Sequence, residues 1–168
     1  MLNSRKIEDL HPHVQTLAKE FLAQAEADPW MILNAIDVLL TSTKRDFEAQ
    51  EYLYAQGRSR PGPVVTWAHA GESMHNYGLA IDVVPTRAGK PVWGTAGNGI
   101  DEDPTDDQTD DLEVWQRLGE IGEAIGFEWA GRWPKGPKGK REFPHLQWTG
   151  GLTLAQLKAG EVPLVELA

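Results

Sequence analysis

One aspartate, Asp82, constrains this chain more than any other residue. It lies within residues 79–84, an apolar stretch whose composition predicts a buried β-strand. Burying a bare carboxylate costs several kcal/mol, so such a residue persists only where a cation or several hydrogen-bond donors compensate it. The strand therefore predicts that other parts of the fold bring compensating groups to Asp82.

Two histidines are the natural partners of Asp82 around a metal ion. His75 precedes the aspartate by seven residues, and His145 could reach the same point from a neighbouring strand. Two imidazoles and one carboxylate, with a fourth position open, are the ligands of a catalytic zinc ion. Taken singly, each histidine is better explained as a structural or exposed residue. The aspartate in an apolar strand is what joins the three into a zinc hypothesis.

A second carboxylate stands close to this candidate ligand set. Glu142 lies three residues before His145, across Pro144, so a metal ligand and a base can face one cavity. In that position a glutamate would take a proton from the attacking water and later deliver it to the leaving amine. A peptide-cleaving zinc site also needs a donor for the oxyanion.

Length and composition limit the classes of protein that this chain can be. Its 168 residues fit one domain, residues 1–168, and the absence of cysteine excludes disulfides and thiolate zinc sites. The net charge of −9 argues against nucleic acid as the main partner. We see neither a signal peptide nor an apolar run long enough for a membrane helix, so we expect a chain made in the cytoplasm.

Hydrophobic periodicity and turn residues predict helices and strands in mixed order. Helices are predicted over residues 12–27, 46–56, 112–125 and 153–160, and strands over 36–43, 64–67, 79–84 and 142–148. This order indicates an α+β domain with antiparallel strands.

The candidate residues also form a joint motif. It reads Ser73-x-His75-x-x-Gly78-x-Ala80-x-Asp82, with Glu142-x-x-His145 further on. This motif resembles the signature of the D-alanyl-D-alanine carboxypeptidase and L-alanyl-D-glutamate endopeptidase group of zinc peptidases, which includes phage endolysins. The resemblance covers nearly the whole chain, and the endolysin branch is also similar in residues 10–12, 54–58, 126–131, 144–145 and 151–157.

The resemblance implies a role for each member of the motif. It implies zinc ligands at His75, Asp82 and His145 and a catalytic carboxylate at Glu142. Replacing Asp82 by alanine is then expected to lose zinc and to relieve an uncompensated charge in the metal-free protein.

The resemblance adds two residues outside the ligand set. It implies that Arg45 faces the substrate and the developing oxyanion, a task that suits a guanidinium group. From the sequence alone, Arg45 would be interpreted as a surface residue at the start of a helix. Ser73 is a candidate for orienting the substrate or a ligand, and a serine that caps a turn is an equally good interpretation.

The same resemblance implies a fold and a function. The fold is a small antiparallel sheet that carries the zinc site between flanking helices, as in Hedgehog and DD-peptidase domains. The function is hydrolysis of the L-alanyl-D-glutamate bond in the peptide stem of peptidoglycan by a phage endolysin. We expect a monomer that acts on peptidoglycan in the periplasm and neither binds nucleic acid nor inserts into a membrane.

Two departures keep rival functions open. The endolysin branch often has aspartate where Glu142 stands, so the motif does not by itself define which bond is cut. Arg132 falls where relatives frequently carry an acidic residue. The first rival is a D-alanyl-D-alanine carboxypeptidase or dipeptidase with the same site. The second is a non-catalytic zinc-binding module.

Three further features have weaker interpretations. Residues 101–111 hold seven carboxylates and no base, which allows a calcium site, but a solvated loop is the simpler interpretation. Residues 132–141 hold five basic residues and no acid, which could attract anionic wall peptide or only solvate a loop. Three tryptophans could either pack in the core or line the wall of a cleft: Trp129, Trp133 and Trp148.

Overall fold

An antiparallel sheet forms the centre of the fold and carries the candidate ligands. The computed structural model describes residues 1–99, 109–135 and 141–164. In these residues the sheet has the spatial order β1-β2-β5-β4, and β3 pairs with the end of β2. Its strands are β1 (Ile36–Ser42), β2 (Ala80–Arg87), β3 (Lys90–Pro91), β4 (Glu128–Trp129) and β5 (His145–Gln147). The predicted α+β fold with a small antiparallel sheet is confirmed.

Helices of different lengths flank this sheet. They are α1 (Pro12–Ala27), α2 (Pro29–Leu33), α3 (Phe47–Ala55), α4 (Asp111–Ala124) and α5 (Leu154–Lys158). Three single turns of 3-10 helix are Ile7–Asp9, Met74–Tyr77 and Ala130–Arg132. Among the described residues, no helix is both long and apolar enough to cross a membrane.

The two long helices supply most of the helical part of the hydrophobic core. Both α1 and α4 are amphipathic, and each buries one apolar stripe in the cluster that lies against the sheet. Fully burying a side chain of this kind contributes roughly 2 kcal/mol before entropy is counted. The buried side chains include Val14, Leu17 and Phe21 from α1 and Val114, Trp115 and Leu118 from α4.

The strand register places Asp82 between two neighbouring strands. Asp82 pairs with Ser42 of β1 on one side and with His145 of β5 on the other. Because side chains alternate along a strand, Asp82 points to the face opposite Ile81 and Val83, which are buried in the core. The carboxylate therefore lies where three strands meet but outside the hydrocarbon core.

Two local predictions were incomplete or wrong. Residues 64–67 form no strand, and Val64, Val65 and Trp67 are exposed, because β-branched composition alone does not supply a partner strand. Asp28 ends α1 as predicted, but its carboxylate also accepts hydrogen bonds at the start of α2, a helix that the sequence analysis missed.

A close contact between α4 and β4 holds the backbone that carries Glu142. A Cβ atom on Gly119 would lie 2.2 Å from the ring of Trp129, so only glycine permits this approach. The indole N–H of Trp129 donates to the carbonyl of Phe143 (2.8 Å). The backbone N–H of Glu142 donates to the carbonyl of Ala130 (3.2 Å). The packing of Trp129 against α4 therefore helps to fix the position of the Glu142 backbone.

This contact gives a prediction for stability. We expect Gly119→Ala to lower the free energy of unfolding by about 1–3 kcal/mol, because overpacking against Trp129 outweighs the better helix propensity of alanine. Urea denaturation followed by circular dichroism measures the change. Glu120→Ala, on the exposed side of the same helix, is the control and should stay within about 0.5 kcal/mol of the parent protein. A Gly119→Ala variant as stable as that control would contradict the contact.

Candidate metal centre and active site

Asp82 brings both predicted histidine ligands together. One carboxylate oxygen, Oδ1, lies 3.1 Å from Nε2 of His75 and 3.1 Å from Nδ1 of His145. One ligand atom from each of the three residues lies within 4.8 Å of the others, and both histidines are buried. Zinc binds such atoms at about 2.0–2.2 Å, and neighbouring ligands of a tetrahedral ion are spaced accordingly. The three residues therefore fit a single metal ion.

His75 is held by two local interactions. It lies in the single helical turn Met74–Tyr77, which begins at Ser73, and the Ser73 hydroxyl accepts the backbone N–H of His75 (3.3 Å). The ring Nδ1 lies 2.5 Å from the carbonyl of Thr43. A carbonyl can only accept, so Nδ1 carries the proton and Nε2 presents its lone pair to the site.

His145 is fixed by a chain of side chains on neighbouring strands. Its Nε2 lies 3.0 Å from Oε1 of Gln147, and the amide nitrogen of Gln147 donates to Glu128 (3.1 Å). The carboxylate of Glu128 can only accept this bond, which orients the Gln147 amide with its oxygen toward His145. Nε2 of His145 therefore donates its proton outward, and Nδ1 presents its lone pair to the site.

The two outer hydrogen bonds decide what the site can bind. Both inner ring nitrogens face the Asp82 oxygen without a proton of their own, so three lone-pair donors converge on one point. Ligating histidines in metal sites almost always donate their other N–H to a carbonyl or carboxylate, which fixes the tautomer. The arrangement matches that of a metal centre. A purely structural role for the two histidines would not account for lone pairs that point inward.

The charges at this point keep Asp82 ionised and draw positive charge toward it. Burial raises the pKa of Asp82, but His75 and His145 together hold the pKa of this carboxyl well below its usual value. Burial dominates at His75 and lowers its pKa. At His145 burial also lowers the pKa, but hydrogen bonding and attraction to Asp82 outweigh it and raise the pKa above the usual value. The site holds an ionised carboxylate and attracts positive charge.

Arg45 compensates the other oxygen of Asp82. Its Nη2 lies 2.6 Å from Oδ2, and both side chains are largely buried. The rest of the guanidinium group is held as well, because Nε donates to Ser42 (3.1 Å) and Nη1 donates to Gln50 (3.4 Å). Gln50 is fully buried and is in turn bonded to the backbone carbonyl of Ala68 (2.9 Å). Arg45 is therefore a rigid part of the site and not the surface residue that the sequence alone would suggest.

Glu142 and the ligands open onto one cleft. A smaller pocket of about 200 Å³ is lined by the three ligands together with Arg45, Ser73, Trp133 and Glu142. A larger pocket of about 550 Å³ continues from it and shares Arg45, Val65, Trp67, Asp82 and Glu142. We call the two together the active-site cleft. Two other cavities, of about 540 and 640 Å³, lack this combination of ligands and acid.

The structure brings the six predicted site residues to this cleft. Arg45, Ser73, His75, Asp82, Glu142 and His145 all line it. Ser73 caps the helical turn of His75, so the capping interpretation is correct in geometry, and its substrate-binding role stays a prediction. Of the three tryptophans, Trp129 is buried in the core, while Trp133 lines the cleft beside His145 (5.7 Å between ring centres).

The sequence analysis missed the residues that support the ligands. Thr43 contributes only its backbone carbonyl, which no residue type reveals. Gln147 sits two residues after His145 in the predicted strand, a same-face spacing that could have identified it. Residues 101–108 of the acidic run 101–111, for which a calcium site was the less simple interpretation, lie outside the described residues, as do residues 136–140 of the basic segment.

The fold and the site together define a metallopeptidase class of enzyme. A buried His-Asp-His group at the junction of three strands has a carboxylic acid and an arginine beside it in an open cleft. These are the groups that metal-assisted hydrolysis of an amide requires.

Comparison with known proteins identifies the family. The family described as D-alanyl-D-alanine carboxypeptidase, of the M15 peptidases, matches residues 67–148, which contain all three candidate ligands and Glu142. The chain is 37% identical over 140 residues to the peptidoglycan L-alanyl-D-glutamate endopeptidase CwlK of Bacillus subtilis, covering 83% of this chain and 73% of that protein. The chain belongs to the M15 peptidase family, which confirms the resemblance seen in the sequence.

A solved structure shares the fold. The crystal structure of the Serratia marcescens L-Ala D-Glu endopeptidase ChiX matches with a TM-score of 0.53, at 17% identity, over 85% of this chain and 83% of that one. At this identity the likeness bears on the fold, and it agrees with the predicted DD-peptidase-like architecture.

The chain from His145 to Glu128 leads to a prediction for metal affinity. We expect Gln147→Leu to weaken zinc binding by about 10–100-fold, because His145 loses the acceptor that fixes its tautomer. Competition with a chromophoric chelator measures the dissociation constant. Gln24→Leu, the same substitution on the exposed side of α1, is the control and should leave it unchanged. Equal zinc affinity in the two variants would show that Gln147 does not orient the ligand.

The contact with Arg45 revises the expected effect of removing Asp82. Asp82→Ala should lose zinc, but it also leaves the buried guanidinium of Arg45 unpaired. We therefore expect the metal-free variant to be less stable by about 3 kcal/mol, not more stable. The double variant Asp82→Leu with Arg45→Met should recover much of that loss, because no buried charge remains unpaired. Denaturation in the presence of chelator compares them, and a stabilised single variant would contradict this account.

Proposed function

We propose that this peptidase hydrolyses the L-alanyl-D-glutamate bond in the stem peptide of peptidoglycan, with zinc held by His75, Asp82 and His145. The observation that carries the proposal is the pair of fixed tautomers, which aims two imidazole lone pairs and one carboxylate oxygen at a single point. The choice of bond is supported by the 37% identity to an enzyme named for that cleavage.

Zinc suits this ligand set better than other common divalent ions. Imidazole and carboxylate donors with an open position are typical of catalytic zinc, whereas magnesium and calcium prefer oxygen ligands alone. When bound, zinc supplies a Lewis acid that polarises the scissile carbonyl and makes water acidic enough to attack near neutral pH.

Glu142 and Arg45 carry the rest of the chemistry. Glu142 lies in the cleft next to the ligands, where its carboxylate takes a proton from the attacking water and returns it to the leaving amine. Arg45 orients Asp82 through Nη2 and lines both pockets of the cleft, so its guanidinium group also faces the oxyanion that develops on the substrate.

A second candidate is removal of a terminal D-alanine from the same stem peptide. It is favoured by the description of the matching family, D-alanyl-D-alanine carboxypeptidase, and it would use the same ligands and acid. The role as a phage endolysin, action in the periplasm and a monomeric state stay predictions. So does the non-catalytic alternative, which the test below separates.

Mass analysis of digested wall material tests the proposal. We expect purified peptidoglycan treated with the protein to gain new D-glutamate amino termini, a chelator to stop the reaction and added zinc to restore it. Release of free D-alanine without those termini would favour the second candidate. No change in the muropeptides at all would favour a non-catalytic zinc-binding module.

The Glu142→Gln variant tests the proposed proton carrier. We expect a folded protein with full zinc content whose kcat falls by about 10²–10⁴, because the amide cannot take up the proton. Glu72→Gln is the matched control: Glu72 lines the same cleft but pairs with Lys158 (3.2 Å), so its loss should change kcat little. Unchanged cleavage by Glu142→Gln would remove this residue from the mechanism.

A further inference from the structure

The larger pocket of the active-site cleft contains a cation that the mechanism does not use. The charged side chains of the two pockets, within the described part of the chain, are three carboxylates, two arginines and the histidine ligands. Arg45 is committed to Asp82, and Glu72 is paired with Lys158. This leaves Arg141, an exposed residue that lines only the larger pocket.

Arg141 is anchored at one end and open at the other. Its Nε donates to the carbonyl of Trp133 (2.9 Å), which fixes the direction of the side chain. Over residues 1–99, 109–135 and 141–164, no carboxylate lies within ion-pair distance of its guanidinium group. The two terminal nitrogens therefore remain available as a planar fork, a geometry that matches a carboxylate.

The proposed substrate carries a carboxylate close to the bond that is cut. When the amine of a glutamate forms the scissile amide, only one of its two carboxyl groups continues the stem. In a stem joined through the side chain, the other carboxyl is bonded to the same Cα as the leaving nitrogen. Its carbon then lies about 2.5 Å from that nitrogen.

The position of Arg141 favours the larger pocket for this carboxylate. The leaving amine must lie near Glu142, which returns the proton and lines both pockets, and Arg141 lines the larger pocket together with it. The smaller pocket offers no comparable partner among the described residues, because its arginine, Arg45, is committed to Asp82. Its apolar lining, which includes Ala68 and Met74, suits the alanine side of the bond.

We propose that Arg141 binds the free α-carboxylate of the D-glutamate residue and makes the enzyme selective for stems in which that group is not amidated. The inference rests on the proposed function and deepens it, because it assigns the leaving side of the substrate to the larger pocket. Arg141 is a specificity-determining residue and takes no part in proton transfer.

A pair of substrates and a pair of variants test this assignment. The substrates are two L-alanyl-D-glutamyl peptides continued through the glutamate side chain, identical except that the α-carboxyl is free in one and a carboxamide in the other. We expect the parent enzyme to favour the free acid by about tenfold or more in kcat/KM, mainly through KM. Arg141→Gln should lose activity on the acid alone and bring the two substrates to similar values, and Arg141→Lys should retain part of the preference.

Controls separate failure of this inference from failure of the proposed function. Arg5→Gln removes an exposed arginine that lines neither pocket, and it should keep the full preference for the acid. Zinc content and thermal unfolding of Arg141→Gln should match the parent protein. Equal cleavage of both substrates by the parent enzyme, or equal losses on both in Arg141→Gln, would overturn the role of Arg141 while leaving the proposed bond intact. Cleavage of neither peptide between alanine and glutamate would overturn both.

Discussion

The carboxylate of Asp82 is the group on which the rest of this structure depends. Its two oxygens have separate partners: Oδ2 meets a permanent cation on Arg45, and Oδ1 faces two histidine nitrogens that present lone pairs. The first contact makes the buried charge tolerable while the protein folds. The second leaves a position that is electrostatically incomplete without a further cation. A stable fold and the candidate metal site therefore share one side chain.

The sheet turns this local arrangement into a rigid one. β2 carries Asp82 in the middle, and β5 delivers His145 directly opposite it. The segment after β1 supplies both the Thr43 carbonyl for His75 and the Arg45 guanidinium. His145 is held instead by Gln147 of its own strand, so each candidate ligand has a defined partner in the fold. Precise support of this kind is what a metal centre needs in order to keep its geometry.

The sequence predicted the parts of this protein whose signals are local or chemical. Helical periodicity identified α1 and α4, and a carboxylate in an apolar strand identified the centre of the site. The supporting partners were not predictable in the same way, because Thr43 acts through its backbone and Gln50 through a buried network that only the fold assembles. The strand predicted over residues 64–67 was wrong for a related reason. These residues have strand-like composition but face the cleft, where Val65 and Trp67 stay exposed.

Under the proposed function, the charge balance of the site gives Arg45 and Glu142 complementary roles. With neutral histidines, Arg45 cancels Asp82, and Glu142 leaves the cleft with one negative charge beside the ligands. A divalent cation reverses that sign and gives a net single positive charge, which is the charge that a singly negative oxyanion needs for compensation. Without Arg45 the same site would only be neutral, and without Glu142 it would hold a surplus positive charge but no base. Under the proposed function, the pairing of Asp82 with Arg45 therefore contributes to the electrostatics of catalysis as well as to the fold.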